Sequence, residues 1–162
     1  MTSLEEKIGQ ILIDNKLTAA TAESCTGGLV SSRLTDVPGS SSYIHLNFVT
    51  YANHAKQEIL GVKADTLKKY GAVSEQCAYE MVQGLQKRTK CDLAICTTGI
   101  AGPTDEGEKP AGLIYIGIAF QTNIYLEKVL ITEKLSKTDM KIRFADKALE
   151  LALKIISKEI QQ

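Results

Sequence analysis

Residues 21–28 read TAESCTGG, and this stretch gives the strongest indication of the fold. An apolar run at residues 17–22 leads into it, and a helix-compatible run at residues 29–34 follows it. A buried strand that becomes a helix through small residues directs its turn side chains, and the free N–H groups of the helix start, away from the sheet. Ser24 and Cys25 place a hydroxyl and a thiol there. The stretch suits a nucleophile beside an anion or oxyanion site, and it equally suits a plain helix cap with glycines in a tight turn.

The apolar pattern on either side predicts alternating helices and strands. The predicted strands cover residues 17–22, 43–51, 93–97, 111–120 and 124–131. The predicted helices cover about residues 4–15, 26–34, 55–60, 65–70, 74–89 and 136–160. Asn53 is expected to cap the third helix and Gly61 to end it, and residues 121–123 join the last two strands as a hairpin. This order predicts one α/β domain over residues 1–162, a three-layer α/β/α arrangement with a mixed sheet.

Composition and charge indicate an ordinary globular protein. Hydrophobic residues make up 44% of the 162 residues, and 19 Lys and Arg balance 19 Asp and Glu, so nothing favours broad binding to nucleic acid or membranes. No secretory leader and no run of membrane-spanning length is evident, which predicts a cytoplasmic protein with reduced thiols. The cysteines form no CxxC pair and lie far from both histidines in sequence, so we expect no metal site and no cofactor.

A second glycine-containing turn, TTGIAGP at residues 97–103, follows the apolar run LAICT at residues 93–97. Ligands of open α/β sheets bind at the carboxyl ends of strands, so the two turns share one crevice if their strands are parallel neighbours. Both turns offer hydroxyls and N–H groups with little bulk, which suits a phosphate or a developing oxyanion. The patterns GxxxxGKS/T and GxGxxG are absent, which argues against an ATPase or a dinucleotide-binding protein. On its own, TTGIAGP also fits a plain loop whose glycines satisfy turn dihedrals.

A serine nucleophile needs a base, and the sequence offers four candidates: His45, His54, Lys56 and Glu23. His45 lies inside a predicted strand, where a satisfied sheet histidine is the simpler interpretation. His54 and Lys56 follow that strand in TYANHAK, with Tyr51 at the strand end. A lysine acts as a base only where burial or a nearby cation keeps it neutral, and spacing alone favours a solvated helix lysine. The residues by themselves therefore leave the base open.

Several motifs, in this order, resemble the CinA (competence-damage inducible) C-terminal domain family: AESCTGGL, DVPGSSSYI, FVTYANHAK, GAVSEQ and TTGIAGP. The resemblance spans nearly the whole chain, from the first helix to the last. The family contains nicotinamide-nucleotide amidohydrolases, also named nicotinamide mononucleotide deamidases, together with members that are inactive or fused to another domain. The resemblance implies a CinA C-terminal-domain-like fold. It also implies hydrolysis of a linear amide in pyridine nucleotide salvage by a dimer or higher homo-oligomer, without a cofactor.

The resemblance further implies which residues carry this reaction. Ser24 of ESCTGG matches the nucleophile, Lys56 of YANHAK matches its base, and Tyr51 supports that lysine through its hydroxyl. The implied substrate contacts, with the N–H groups of the first three as candidates for the oxyanion hole, are Thr26, Gly27, Gly28, Thr98, Gly99, Gly102 and Arg143. The family often shows a GDR-type sequence shortly before that arginine. This chain reads SKTDMK there, which leaves Lys137 and Lys141 as alternative cations.

In the implied reaction, Ser24 attacks the carboxamide of nicotinamide mononucleotide, and Lys56 takes the serine proton and returns it to the leaving nitrogen. The products are nicotinic acid mononucleotide and ammonia. The alternative function is a non-catalytic nucleotide-binding module of the same fold, and the joint presence of Ser24, Tyr51 and Lys56 favours the enzyme. A Ser–His hydrolase that uses His54 is a weaker interpretation, because the sequence shows no evident carboxylate to orient the imidazole.

Overall fold

The computed structural model describes residues 1–103 and 109–161. The elements of this part of the chain are α1 (Leu4–Asp14), β1 (Ala19–Glu23), α2 (Leu29–Thr35), β2 (Phe48–Val49), α3 (Asn53–Leu60), α4 (Ala64–Tyr70), α5 (Glu75–Thr89), β3 (Leu93–Gly99), β4 (Leu113–Phe120), β5 (Asn123–Leu130) and α6 (Lys137–Ile160). A short 3-10 turn at Ser40–Ser42 follows α2. None of the helices named above combines the length and the apolar character that crossing a membrane requires.

One mixed sheet contains all of these strands, in the order β2-β1-β3-β4-β5. β1 runs parallel to both β2 and β3, and every residue of β1 is buried. β4 is antiparallel to β3, and β5 is antiparallel to β4 after a turn at Gln121 and Thr122. The predicted mixed sheet with a hairpin at one side is therefore confirmed.

Helices cover both faces of the sheet and complete the three layers. α1, α2 and α6 pack together on one face, and α5 packs on the other face with α3 and α4 against it. Successive residues of β3 alternate between the two hydrophobic cores, as a strand requires. Leu93 and Ile95 belong to the first core, whereas Ala94 and Cys96 belong to the second. The smaller side chains therefore face α5.

The segment at residues 43–51, predicted as a strand, is the main error in the predicted secondary structure. Only Phe48–Val49 forms a strand there, with one further isolated bridge to β1. Tyr43 turns into the core and is fully buried. The Asn47 side-chain oxygen accepts the Thr21 N–H at 3.0 Å, so a side chain takes the place of a backbone partner beside β1. The aromatic and β-branched composition of this segment thus reflects burial of an irregular chain.

Helix α3 is positioned by its two ends and by one glycine of α5. Ala52, not the predicted Asn53, is its N-cap residue, and Gly61 ends it with a φ of 72°, as predicted. Gly84 of α5 lies against the last turn of α3, where an added Cβ atom would collide with the Leu60 carbonyl oxygen. The close approach of the two helices therefore requires glycine at this position.

We predict that Gly84→Ala destabilises the protein by about 3 kcal/mol, because the added methyl group forces α3 and α5 apart. In a helix without such a contact, Gly→Ala stabilises the helix by about 1 kcal/mol. A destabilising effect therefore indicates that α3 and α5 are in close contact at Gly84. Gly61→Ala is the control, since it has open space around it and costs about 1 kcal/mol through its positive φ alone. Urea unfolding measures the free energy of unfolding of the wild type and of both variants. A Gly84→Ala variant as stable as the wild type would contradict the close packing.

Candidate active site

The parallel pairing of β1 with β3 brings the two glycine-containing turns to the same edge of the sheet. Glu23 stands opposite Thr97 in the register, and the Ser24 N–H donates to the Thr97 carbonyl at 3.1 Å. Residues from both turns line one open pocket of about 590 Å³, with residues 71–73 as a further wall. This volume is typical of small-molecule sites. The crevice that the sequence predicted is therefore present.

Ser24 and Lys56 meet inside this pocket. The Lys56 Nζ atom lies 3.1 Å from Ser24 Oγ, 3.0 Å from the Thr50 carbonyl oxygen and 2.9 Å from the Tyr51 carbonyl oxygen. Both side chains line the pocket, although Lys56 is only 1% exposed. Spacing alone favoured a solvated lysine, and that interpretation is wrong. Because α3 begins directly after the two carbonyls, its first turn brings Lys56 back towards them.

The surroundings of Lys56 shift its protonation equilibrium towards the neutral amine. Burial lowers the pKa of Lys56 below its ordinary value. Among residues 1–103 and 109–161, no carboxylate lies within 4.0 Å of its nitrogen to hold it charged. A neutral amine has two protons and a lone pair. If the Thr50 and Tyr51 carbonyls accept the two protons, the lone pair is left for the Ser24 hydroxyl, which is the arrangement of a general base beside a nucleophile.

Tyr51 contributes its carbonyl oxygen to this arrangement. Its side chain is 59% exposed, and the contact with Lys56 runs through the backbone. The Ser24 hydroxyl also lies 3.4 Å from the same carbonyl oxygen. The resemblance implied that Tyr51 supports Lys56 through its hydroxyl, whereas the contact in the structure comes from the main chain.

Cys25, the other potential nucleophile of the turn, is held in its thiol form. Burial raises the pKa of Cys25 to about 12. Since the thiolate is the reactive form of cysteine, this side chain is unreactive at neutral pH. Cys77, Cys91 and Cys96 are buried as well, and burial raises the pKa of each thiol. Ser24 is therefore the candidate nucleophile of this turn.

The remaining residues of the first turn face away from the pocket. Thr26 is fully buried, and its hydroxyl donates to the Glu23 carboxylate at 2.6 Å. Gly27 lies beside the end of the Lys141 side chain, and Gly28 precedes α2 with a φ of 101°. Within the described ranges, none of the residues 23 and 26–28 lines the pocket. The structure therefore does not bring these implied substrate contacts to the site, and Glu23 is bound within the protein instead of serving as a base.

The second turn and the start of α6 supply another part of the pocket. Thr98, Gly99 and Gly102 line it, where the resemblance implied substrate contacts. The Thr98 hydroxyl donates to the Ala72 carbonyl at 2.7 Å and so holds the wall formed by residues 71–73. The Lys137 side chain packs beside Gly102 and also lines the pocket.

Arg143 lies outside the pocket and pairs with Glu133 at 3.0 Å. Residues four positions apart share a helix face, whereas residues six positions apart do not. Lys137 and Lys141 therefore lie on the side of α6 that faces the two turns, and Arg143 lies on another side. The structure therefore does not bring Arg143 to the pocket, and its implied substrate contact stays a prediction. Among the described residues of α6, Lys137 is the cation that lines the pocket.

The sequence matches the CinA C-terminal domain over residues 1–156. The chain belongs to the CinA C-terminal domain family. A CinA-like protein of Chlorobium limicola is 54% identical over 119 residues, which cover 73% of this chain and 28% of that protein. A putative competence-damage inducible protein of Clostridium novyi is 54% identical over 124 residues, which cover 75% of this chain and 30% of that protein. The chain thus spans less than a third of the length of these curated relatives.

Solved structures of CinA-family proteins share the fold. The competence/damage inducible protein CihA from Agrobacterium tumefaciens is 36% identical, with a TM-score of 0.89 over 95% of this chain and 93% of that chain. A CinA superfamily protein from Klebsiella pneumoniae is 28% identical, with a TM-score of 0.90 over 96% of both chains. The mixed α/β fold is therefore that of the CinA family.

The sequence reasoning missed some residues of this CinA-family site and proposed others that lie elsewhere. Asn53 lines the pocket one helical turn before Lys56. Their spacing of three residues on α3 could have indicated this shared face. No local signal could have indicated residues 71–73, because only tertiary packing brings that loop to the site. His45 and His54 are exposed, and neither lines the pocket in the described part of the chain, so the Ser–His interpretation finds no support.

The lowered pKa of Lys56 predicts a pH dependence of stability that involves no substrate. Between the folded-state pKa and the ordinary value of about 10.4, the unfolded chain holds a proton that the folded chain has lost. The free energy of unfolding therefore rises with pH across this window, by at most about 1.4 kcal/mol per pH unit. Lys56→Met lacks the titrating group. The unfolding free energy of the wild type should therefore increase relative to that of Lys56→Met as pH rises towards about 10.

Urea unfolding of the wild type and Lys56→Met at a series of pH values measures this difference. Lys137→Met is the matched control, because it removes a lysine that is exposed instead of buried. A pH-independent difference for Lys56→Met would show that this lysine remains protonated in the folded protein.

Proposed function

We propose that this protein hydrolyses the carboxamide of nicotinamide mononucleotide to nicotinic acid mononucleotide and ammonia. The observation that carries the proposal is the 3.1 Å contact between Lys56 Nζ and Ser24 Oγ inside the pocket. In the proposed reaction Ser24 is the nucleophile and Lys56 is its general base. Membership of the CinA C-terminal domain family supports the substrate class, since nicotinamide-nucleotide amidohydrolases belong to this family.

The first step is acylation of Ser24. The Lys56 lone pair takes the hydroxyl proton while Oγ attacks the carboxamide carbon, and the electrons of the C=O bond move to its oxygen. The carbonyls of Thr50 and Tyr51 anchor the amine at 3.0 Å and 2.9 Å, which directs its lone pair towards Oγ. The base is therefore aligned before the substrate arrives.

The oxyanion of the tetrahedral intermediate needs N–H donors. In strand-to-helix turns that carry a nucleophile, the N–H of the next residue is a common donor. Here that residue is Cys25, which lines the pocket and whose N–H has no protein acceptor in the described ranges. The Gly27 N–H is already bonded to the Ser24 carbonyl at 3.1 Å. We therefore assign the oxyanion contact to Cys25 in place of residues 26–28.

The leaving group and the second half-reaction use the same amine. The protonated Lys56 returns its proton to the amide nitrogen, the C–N bond breaks, and ammonia leaves the nicotinoyl group as an ester on Ser24. Water then attacks this ester and passes a proton to Lys56, and Oγ takes that proton back when the ester bond breaks. Every proton transfer in this scheme passes through one nitrogen.

Recognition of the 5′-phosphate is proposed for Lys137. Its side chain lines the pocket beside Gly102 of the second turn. A cation is a favourable partner for a phosphate. Arg143 already pairs with Glu133 outside the pocket. The cation proposed here therefore differs from the arginine that the family resemblance implies.

A nucleotide-binding module without turnover is the alternative function. Such a module has no use for an amine buried against a serine hydroxyl, because an unpaired buried lysine destabilises a fold. Lys56 is 1% exposed, and its hydrogen-bond partners in the described ranges are all uncharged, which favours the enzyme. Binding of the mononucleotide without ammonia release would support the alternative.

We predict that Ser24→Ala lowers turnover of nicotinamide mononucleotide by about 10⁴-fold or more, as for other serine nucleophiles, while substrate binding is kept. Lys56→Arg keeps the charge but cannot deprotonate, so it should be nearly as inactive as Lys56→Ala. Ammonia release by the purified variants measures both effects. Tyr51→Phe is the control, because the carbonyl that contacts Lys56 stays in place.

The pH profile of kcat/KM should show an ascending limb set by Lys56, since activity falls as the amine becomes protonated. Because burial lowers the pKa of Lys56, this limb should lie below the ordinary lysine value of about 10.4. The limb should disappear from the residual activity of Lys56→Ala. If Lys56→Arg keeps most of the wild-type turnover, the lysine is only a charge and the proposed mechanism fails.

We predict that Lys137→Ala raises KM for nicotinamide mononucleotide about tenfold, the loss expected for one charge-assisted hydrogen bond. Its effect on nicotinamide riboside, which lacks the phosphate, should be small. Arg143→Ala is the matched control, because it removes the same charge from the same helix outside the pocket. Steady-state rates of ammonia release give KM of each variant for both substrates. Equal losses on the mononucleotide and the riboside would move the phosphate contact elsewhere.

A further inference from the structure

Glu23 is a buried carboxylate next to the nucleophile, and the proposed chemistry makes no use of it. It is fully buried and does not line the pocket. In the described part of the chain it forms no ion pair with Lys56 or any other cation within 4.0 Å. Its role must therefore come from the neutral groups that it contacts.

Those groups belong to the turn after Ser24 and to the start of α2. One carboxylate oxygen of Glu23 accepts the Thr26 hydroxyl at 2.6 Å and the Val30 N–H at 2.8 Å, and the other accepts the Ser31 N–H at 2.9 Å. The N-cap residue of α2 is Gly28, which has no side chain to accept these helix N–H groups. Glu23 thus caps α2 from the end of β1, five residues before the usual N-cap position.

The same carboxylate fixes a hydrogen-bond chain that reaches β3. The hydroxyls of Thr26 and Thr97 lie 2.8 Å apart. A carboxylate only accepts, so the single proton of the Thr26 hydroxyl goes to Glu23, and the Thr97 hydroxyl must donate to Thr26. Thr97 also accepts the Ser24 N–H through its carbonyl at 3.1 Å. Ser24 is therefore held between Glu23 and Thr97, two residues that are connected through Thr26.

We propose that Glu23 is a positioning residue: it ties the nucleophile turn to α2 and to β3, and so holds Ser24 Oγ within reach of Lys56. This inference rests on the proposed role of Ser24. A displacement of about 1 Å between reacting groups can lower a rate by about 10²-fold. The distance that Glu23 maintains, 3.1 Å between Lys56 Nζ and Ser24 Oγ, is the one on which the proposed base depends.

Glu23→Gln tests this role without changing the shape of the side chain. One oxygen can still accept from Thr26 and Val30, but the new NH₂ group meets the Ser31 N–H as a second donor. We expect kcat for nicotinamide mononucleotide to fall about 10- to 100-fold, with KM within about twofold of the wild type and the ascending limb of the pH profile unmoved. If Glu23→Gln only reduced the fraction of folded protein, the apparent kcat would fall in proportion to that fraction, and kcat corrected for folded protein would equal the wild-type value.

Two substitutions at Thr26 provide the matched pair. Thr26→Val removes the hydroxyl and keeps the shape, and it should lower kcat as Glu23→Gln does. Thr26→Ser keeps the hydroxyl and should restore nearly wild-type kcat. The double variant Glu23→Gln/Thr26→Val should lose less than the two single losses combined, because both act through one contact. If Glu23→Gln fails to fold, the comparison of Thr26→Val with Thr26→Ser tests the positioning role by itself.

Two measurements separate failure of this inference from failure of the proposed function. The rate at which an alkyl fluorophosphonate labels Ser24 reports an activated serine without any amide substrate, and Glu23→Gln should lower this rate by the same factor as kcat. Amide hydrogen exchange at Ser31 reports the lost cap bond directly and should become faster in Glu23→Gln, whereas Val30 keeps its acceptor and serves as the internal reference. A wild type that is not labelled would refute the proposed nucleophile. Unchanged exchange at Ser31, or unchanged labelling in a folded Glu23→Gln protein, would overturn the positioning role.

Discussion

The parallel pairing of β1 with β3 is the constraint on which the rest of the site depends. It sets Glu23, the last residue of β1, opposite Thr97, two residues before the end of β3, so residues from both glycine-containing turns line one pocket. On the other side of β1, the Thr50 N–H donates to the Glu23 carbonyl at 2.8 Å. Ser24 therefore leaves the sheet between two fixed neighbours. The sheet therefore sets the position of Ser24, which lines the pocket.

The second constraint is a buried lysine that has no carboxylate within 4.0 Å in the described part of the chain. Removing an amine from water is unfavourable unless it loses its proton or gains a partner, and the partners of Lys56 are two carbonyls and a hydroxyl. A carboxylate in their place would favour the charged amine and remove its basicity. The arrangement thus lowers stability and suits the role of general base that we propose for Lys56. The short α3 makes this possible, because it begins directly after the carbonyls that its own lysine contacts.

Most of the fold was predictable because its elements carry strong periodic patterns. α5, α6 and the β4–β5 hairpin were predicted close to their actual bounds. Prediction failed at residues 43–51, where aromatic and β-branched residues are buried without forming a ladder. There, Asn47 bonds the edge of β1 through its side chain, an interaction that composition does not reveal.

The sequence by itself determined the two turns, the nucleophile candidate and the family. It did so because small residues between a strand and a helix are a local signal, and the family motifs are local strings. Only the tertiary structure decided which groups meet Ser24. Spacing placed Lys56 in solvent, yet the fold buries it. The resemblance placed Arg143 at the substrate, yet its helix face is turned away from the pocket, which Lys137 lines. Burial and helix rotation depend on contacts between segments far apart in sequence, and no local pattern contains them.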